Sequence, residues 1–144
     1  MDVKIKKLSN LAQIPSYQSV FAAGADLYAA TDNDILIPSK ETVFVPTGIS
    51  MEIPTGYVGL IFARSGLACK KGVAPANKVG VIDSDYRGEI MVALHNHSKT
   101  DVIISKGDRI AQISLIPYIT ANFIESDNLS STERGVGGFG STGK

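Results

Sequence analysis

Ile110-Ala111-Gln112-Ile113-Ser114-Leu115-Ile116 is a short run rich in β-branched residues, and the turn-forming Lys106-Gly107-Asp108 closes it on the upstream side. A run of this length between turn signals reads as a β-strand. One of its faces carries Ala111, Ile113 and Leu115; the other carries Ile110, Gln112, Ser114 and Ile116, half apolar and half polar. A two-layer sandwich of this size buries one face of each sheet, so apolar residues on the second face predict burial against another copy.

The same pattern repeats outward along the chain. Ile35 to Ile37, Val43 to Val45, Tyr57 to Phe62, Ile90 to Leu94 and Val102 to Ile104 are short apolar runs. Between them stand Pro38-Ser39, Pro46-Thr47-Gly48, Pro54-Thr55-Gly56, Tyr86-Arg87-Gly88 and Asn96-His97-Ser98, all turn compositions. Many short strands at close spacing mark an all-β sandwich or barrel. Only Ser65 to Lys71 reads as a short helix, ended by Gly72.

The chain has 144 residues, the size of one domain that buries roughly two thirds of its unfolded surface. Its 14 acidic and 14 basic side chains balance, so no global field draws it to nucleic acid or anionic lipid. Phosphate-binding charge must therefore be local. A single cysteine, Cys69, suits a reducing compartment. The charged start Met1-Asp2-Val3-Lys4 leads into no apolar core, so neither a signal peptide nor a membrane span is expected and the reading is cytoplasmic.

Residues 126 to 144 change character, losing apolar content and gaining Ser, Thr and Gly. The expected division is a β-barrel domain over 1–125 and a flexible C-terminal arm over 126–144. Gly135, Gly137 and Gly140 fit the dinucleotide fingerprint by spacing, and Gly138, Gly143 and Lys144 nearly fit the P-loop. Both motifs deliver phosphate to a following helix, and neither has one here. The physical content that survives is a glycine-rich backbone able to approach an anion, with hydroxyls at Ser141 and Thr142. Arg134 adds charge and Phe139 a face for stacking a base, which together suit a lid.

Four further segments concentrate polar groups. Asn77 to Glu89 lies between two apolar strands. As scaffolding it is a β-hairpin turned by Asp83, Asp85 and Gly88; as chemistry it encloses a ligand and presents Asp83, ionised at neutral pH, as a base toward water. Arg64 and Ser65 stand where a strand gives way to the short helix, an anion-binding position or simply a surface arginine and an N-cap serine. Asp26 interrupts the apolar Ala23 to Tyr28, and Gly107 to Gln112 enters a strand from a turn. His95 and His97 would share a strand face, but no third ligand is evident for zinc. Ser65 has no base beside it for covalent catalysis.

In this order and spacing the segments resemble the five motifs of the trimeric deoxyuridine triphosphatase family. The first is Ala23 to Ala30, the second Arg64 to Ala68, the third Asn77 to Glu89, the fourth Gly107 to Gln112 and the fifth Arg134 to Gly143. Ala63 departs from the proline usual there. The resemblance implies a jelly-roll-like β-barrel with one short helix and a glycine-rich C-terminal arm. It also implies a homotrimer with shared active sites, where the arm of one chain closes a site built by others. The last 25 or so residues extended would reach up to about 80 Å.

By matching position, the resemblance gives Asp83 the deoxyribose 3′-hydroxyl and the attacking water. Tyr86 lies beneath the sugar, where a ribose 2′-hydroxyl would clash. Asn77 and the backbone near Val81, Ile82 and Met91 read uracil. Arg64, Ser65, Gly66 and Gln112 hold phosphate or position water, and Asp26 faces a Mg²⁺ ion through water. Arg134, Phe139, Gly140, Ser141 and Thr142 form the closing arm. The implied reaction is hydrolysis of dUTP to dUMP and pyrophosphate by water attack at the α-phosphorus. Two rival readings share the fold: a dCTP deaminase, and a dUTP-binding regulatory module without catalysis. A structural trimer with a functionless tail is the third.

Overall fold

The computed structural model describes residues 1–138; Phe139, Gly140, Ser141 and Thr142, expected in the closing arm, lie outside them. Eleven strands and one helix follow in order: β1 (Lys4–Lys7), β2 (Ala25–Tyr28), β3 (Ile35–Ile37), β4 (Thr42–Pro46), β5 (Ile49–Glu52) and β6 (Tyr57–Phe62). Then come α1 (Ser65–Lys71), β7 (Val73–Pro75), β8 (Gly80–Ile82), β9 (Met91–Asn96), β10 (Val102–Ile104) and β11 (Arg109–Pro117). They pair antiparallel into sheets ordered β1-β5, β10-β3, β2-β11-β6-β8 and β4-β9-β7. The architecture is all-β and jelly-roll-like, around one core that includes Leu27, Ile37, Val45, Ile49, Ile90, Leu94, Ile104 and Ile110.

β11 is one of the two inner strands of the four-stranded sheet, with Gln112 opposite Asp26 of β2 on one side and Phe62 of β6 on the other. Its register against β2 shifts between Arg109 and Ala111. Such a bulge places two residues against one and re-aims the side chains around it. Ile110 is consequently buried beside Ala111, where strict alternation puts it on the outer face. Of the expected second apolar face, Ile116 alone stays open.

The Asn77 to Glu89 segment is not a hairpin. β8 pairs with β6, whereas β9 pairs with β4 and β7, so residues 83–90 carry the chain from one sheet to another. Turn composition alone does not distinguish a hairpin from such a crossing, because both need the same tight reversal. Tyr86 N–H donates to the Asp83 carbonyl at 3.1 Å, and Ile90 N–H to the Ile49 carbonyl at 2.9 Å.

α1 occupies the residues expected. Its cap position is Arg64, in extended conformation (φ −92°, ψ 129°), and Ser65 is the first helical residue, with no side-chain cap. The helix ends because Gly72 takes φ 69° and returns its N–H to Ala68 and Leu67. Asn96 anchors the turn after β9. Fully buried, it donates to the carbonyls of Ile37 (3.0 Å) and Thr100 (2.8 Å) and accepts from Ser98 N–H (3.0 Å) and Oγ (2.7 Å).

Candidate active site

Three sequence motifs meet where β2, β11 and β6 lie side by side. Asp26 is buried, and its two carboxylate oxygens accept from Arg64 Nε at 2.8 Å and Arg109 Nη1 at 3.2 Å. Burial of a carboxylate is tolerated because both guanidinium groups compensate it. Gln112 donates from Nε2 to the Ala63 carbonyl at 2.8 Å. Gly24 packs so closely that a Cβ there would stand 2.5 Å from Gln112 Oε1. The result is a shallow pocket lined by Arg64, Gly66, Lys71 and Arg109, with Asp108 at its margin holding Ser105 N–H at 2.9 Å. Ser65 and Gly66 are exposed at the start of α1. Its character is cationic, with backbone open to an anion.

A second cleft forms at the sheet crossing. Val81, Ile82, Asp83, Tyr86 and Met91 line it together with Phe44 and Glu89. Asp83 and Tyr86 are exposed, and Tyr86 donates its hydroxyl to the Glu89 carbonyl at 2.9 Å. Asn77 is exposed in the loop between β7 and β8, where its carbonyl accepts from Val79 N–H at 2.7 Å.

The two places share no lining residue. Ile82 is opposite Gly59, so Asp83 falls beside Val58, near the start of β6. Arg64 follows the other end of that strand, still extended. Six residues at about 3.3 Å each separate them by roughly 20 Å. Arg64 also reaches across β11 to Asp26 on β2, the sheet edge opposite β8. Within one chain, the cationic pocket and the Asp83 cleft are therefore too far apart to grip neighbouring atoms of one substrate.

Arg134 lies in the described part of the tail and folds onto its own backbone. Its Nε donates to the Gly137 carbonyl at 2.9 Å, and Gly137 N–H returns to the Arg134 carbonyl at 3.0 Å. No strand or helix is formed over 118–138, and Ile119, Phe123 and Ile124 are almost fully exposed.

The His95 and His97 rings stand 4.4 Å apart, with His95 Nδ1 sharing a hydrogen bond with Thr42 Oγ1. Desolvation, then the neighbouring charges of His95, Lys78 and Lys40, lowers the pKa of His97. Among the described residues, no group of three or more His, Cys, Asp or Glu side chains could hold a metal.

The dUTPase family model matches residues 10–143. The deoxyuridine 5′-triphosphate nucleotidohydrolase of Nautilia profundicola is 51% identical over 144 residues, all of both chains. That of Syntrophotalea carbinolica is 44% identical, covering 98% of this chain and 96% of its own. The chain belongs to the dUTPase family. Among solved structures, the dUTPase of Staphylococcus bacteriophage 80alpha with dUpNHpp superimposes with a TM-score of 0.91 at 27% identity, over 99% of each chain. The dUTPase of phage phi11 of S. aureus shares the fold at a TM-score of 0.83.

Sequence reading of this dUTPase-family chain did not single out Arg109, Phe44, Gly24 or Glu89. Arg109 lay inside the fourth motif, and the pairing of β2 with β11 is what brings it to Asp26. Phe44 was recoverable from alternation: Thr42-Val43-Phe44-Val45 places Val45 inward, fully buried, and Phe44 outward. Gly24 lay inside the first motif and Glu89 at the end of the third, but their particular contacts with Gln112 and with Tyr86 and Gly48 depend on which elements the fold brings together.

Proposed function

We propose that the chain hydrolyses dUTP to dUMP and pyrophosphate at sites shared between the subunits of a homotrimer. One observation carries the reading at the level of residues. Arg64 and Arg109, both held by Asp26, line one cationic pocket, while Asp83, Tyr86 and Met91 line a cleft roughly 20 Å away. A general base and the groups that hold its substrate must both lie within hydrogen-bond reach of that substrate. A second copy that brings its Asp83 cleft to the first copy's Arg64 pocket satisfies this. The exposed Ile119, Phe123 and Ile124 supply apolar surface for such an assembly.

In the assembled site, uracil enters the Asp83 cleft, and the backbone of Val81 and Ile82 with Asn77 and Met91 reads its polar edge. Hydrogen-bonded recognition rejects cytosine more strongly than shape alone, because a mismatched edge leaves buried groups unpaired. The exposed Tyr86 ring packs beneath the deoxyribose. Asp83 holds the 3′-hydroxyl and accepts a proton from the water that attacks the α-phosphorus in line. Arg64, Ser65 and Gly66 hold the phosphates, Gln112 orients the water, and Arg134, Phe139, Gly140, Ser141 and Thr142 close the site. Positioning and charge compensation supply most of the acceleration, with general-base help of about 10² to 10⁴.

A Mg²⁺ ion would arrive with the substrate's phosphates, and Asp26 would face it through water. Of about four lone-pair sites on the Asp26 carboxylate, two are used by the guanidinium groups, which leaves acceptors for an ion's water. When bound, such an ion would be held mainly by phosphate oxygens and water and would supply charge neutralisation on the triphosphate. No described helix is long and apolar enough to cross a membrane, and the lone, exposed Cys69 suits the cytoplasm.

The test is pyrophosphate release from dUTP, with dCTP, dTTP and UTP alongside, for the wild type and Asp83→Asn. Mg²⁺-dependent release from dUTP alone, reduced about 10²-fold or more in the variant, is expected. Absence of release from dUTP would overturn the activity, and full release by the variant would overturn the role of Asp83.

A further inference from the structure

The Tyr86 side chain is held by very little of its own packing. The residue is 45% exposed, yet its ring is folded back against Gly88. Two features fix it there. The first is the missing side chain at position 88: a Cβ on Gly88 would stand 2.4 Å from Tyr86 Oη, 2.6 Å from Cζ and 2.9 Å from Cε2. Real Cβ atoms do not approach neighbours that closely, so the ring and a side chain at 88 exclude each other. The backbone makes no demand of its own, since Gly88 is not among the residues with positive φ. The glycine is required for space.

The second feature is the Glu89 peptide. Its carbonyl accepts the Tyr86 hydroxyl at 2.9 Å. That carbonyl is itself pinned, because Glu89 Oε1 accepts Gly48 N–H at 2.8 Å and Ile90 N–H bonds to the Ile49 carbonyl at 2.9 Å. Gly48 itself sits at φ 67°, a conformation that suits glycine. The turn between β4 and β5 thus reaches through Glu89 to the phenol.

We infer that Gly88 and Glu89 are positioning residues for Tyr86, and that through its ring they set how strongly ribose is rejected against deoxyribose. This rests on the proposed placement of Tyr86 beneath the sugar. A ring displaced from Gly88 opens the space that a 2′-hydroxyl needs, while the cationic pocket, which shares no lining residue with this cleft, is untouched. The expected signature is therefore a change in the ratio of kcat/KM for UTP to that for dUTP, beyond any change in overall rate.

The experiment measures that ratio in the full-length protein for the wild type, Gly88→Ala, Tyr86→Ala and the double variant. Gly88→Ala should raise it about tenfold or more. Adding Gly88→Ala to Tyr86→Ala should raise it no further, because the ring through which Gly88 acts is gone. A merely structural lesion would add in both backgrounds. If Tyr86→Ala raises the ratio and Gly88→Ala leaves it at the wild-type value, the inference is overturned and the reading of Tyr86 stands. If Tyr86→Ala leaves it unchanged, the reading of Tyr86 is itself wrong, and the inference goes with it. Should Gly88→Ala show no cooperative melting, Glu89 decides. Glu89→Ala should raise the ratio about threefold, with Glu89→Gln, which keeps an acceptor for Gly48 N–H, returning it to the wild-type value. An Ala variant that matches the wild type overturns the inference.

Discussion

Asp26 illustrates how one side chain can serve both stability and chemistry. Its carboxylate is buried, with guanidinium groups from β11 and from the start of α1 on its two oxygens. Each hydrogen bond to a charged group contributes about 1.5–3 kcal/mol, but Arg64 and Arg109 keep 24% and 43% of their side-chain surface open to screening water. Asp26→Asn should therefore destabilise by about 1–3 kcal/mol, read as a lower urea midpoint with an unchanged m-value. It should also lower kcat/KM for dUTP if Arg64 holds phosphate as proposed, because Arg64 loses its Asp26 anchor. An unchanged midpoint would mean that the pair contributes nothing net. Gly24 makes the complementary case. Gly24→Ala places a methyl group 2.5 Å from Gln112 Oε1, so the amide must shift, which disturbs its bond to the Ala63 carbonyl. If Gln112 orients the attacking water as proposed, the expected outcome is a fall in kcat with KM for dUTP little changed.

The elements divide by how local their causes are. β3, β6, β10 and α1 have the bounds that composition predicts, because short apolar runs between turn residues need no partner to be recognised. β1, β5 and β7 are different. Lys4–Lys7 is a strand because Ile49–Glu52 pairs with it, and its own residues are mostly charged and exposed. The Asp83 turn was legible as a turn, but not as a crossing between sheets, since which strand pairs with which is decided by the whole core. The same holds for the site: its residue types were legible through motif order, whereas the Asp26 clamp and the Glu89 anchor depend on pairing. Asn96 shows the limit most clearly. By composition it is a turn residue, yet it is fully buried and bridges β3 to the turn after β9. Asn96→Ala removes the side-chain donor to the Ile37 carbonyl and the acceptor of Ser98 N–H, at about 1–3 kcal/mol for a buried group left unpaired, while Ser98 Oγ still donates to the Thr100 carbonyl. A lower melting temperature with little change in KM is expected from calorimetry and kinetics together.

At the scale of the whole molecule, the separation of the Asp83 cleft from the Arg64 pocket becomes a statement about assembly. If one site takes Asp83 from one subunit and Arg64 from another, neither belongs to its own chain's site. Asp83→Asn and Arg64→Ala homotrimers should then each be nearly inactive. Mixed after reversible unfolding and refolding together, they should regain activity, because a site facing an intact Asp83 on one copy and an intact Arg64 on its neighbour is complete. Random assortment makes about a quarter of the sites complete in an equimolar mixture. The recovered rate should depend on the mixing ratio with a maximum at equal parts, and on refolding together; simple mixing of folded proteins should give far less. A mixture no more active than the average of its two components would mean that one chain closes the roughly 20 Å gap by itself, and the shared site would have to be abandoned.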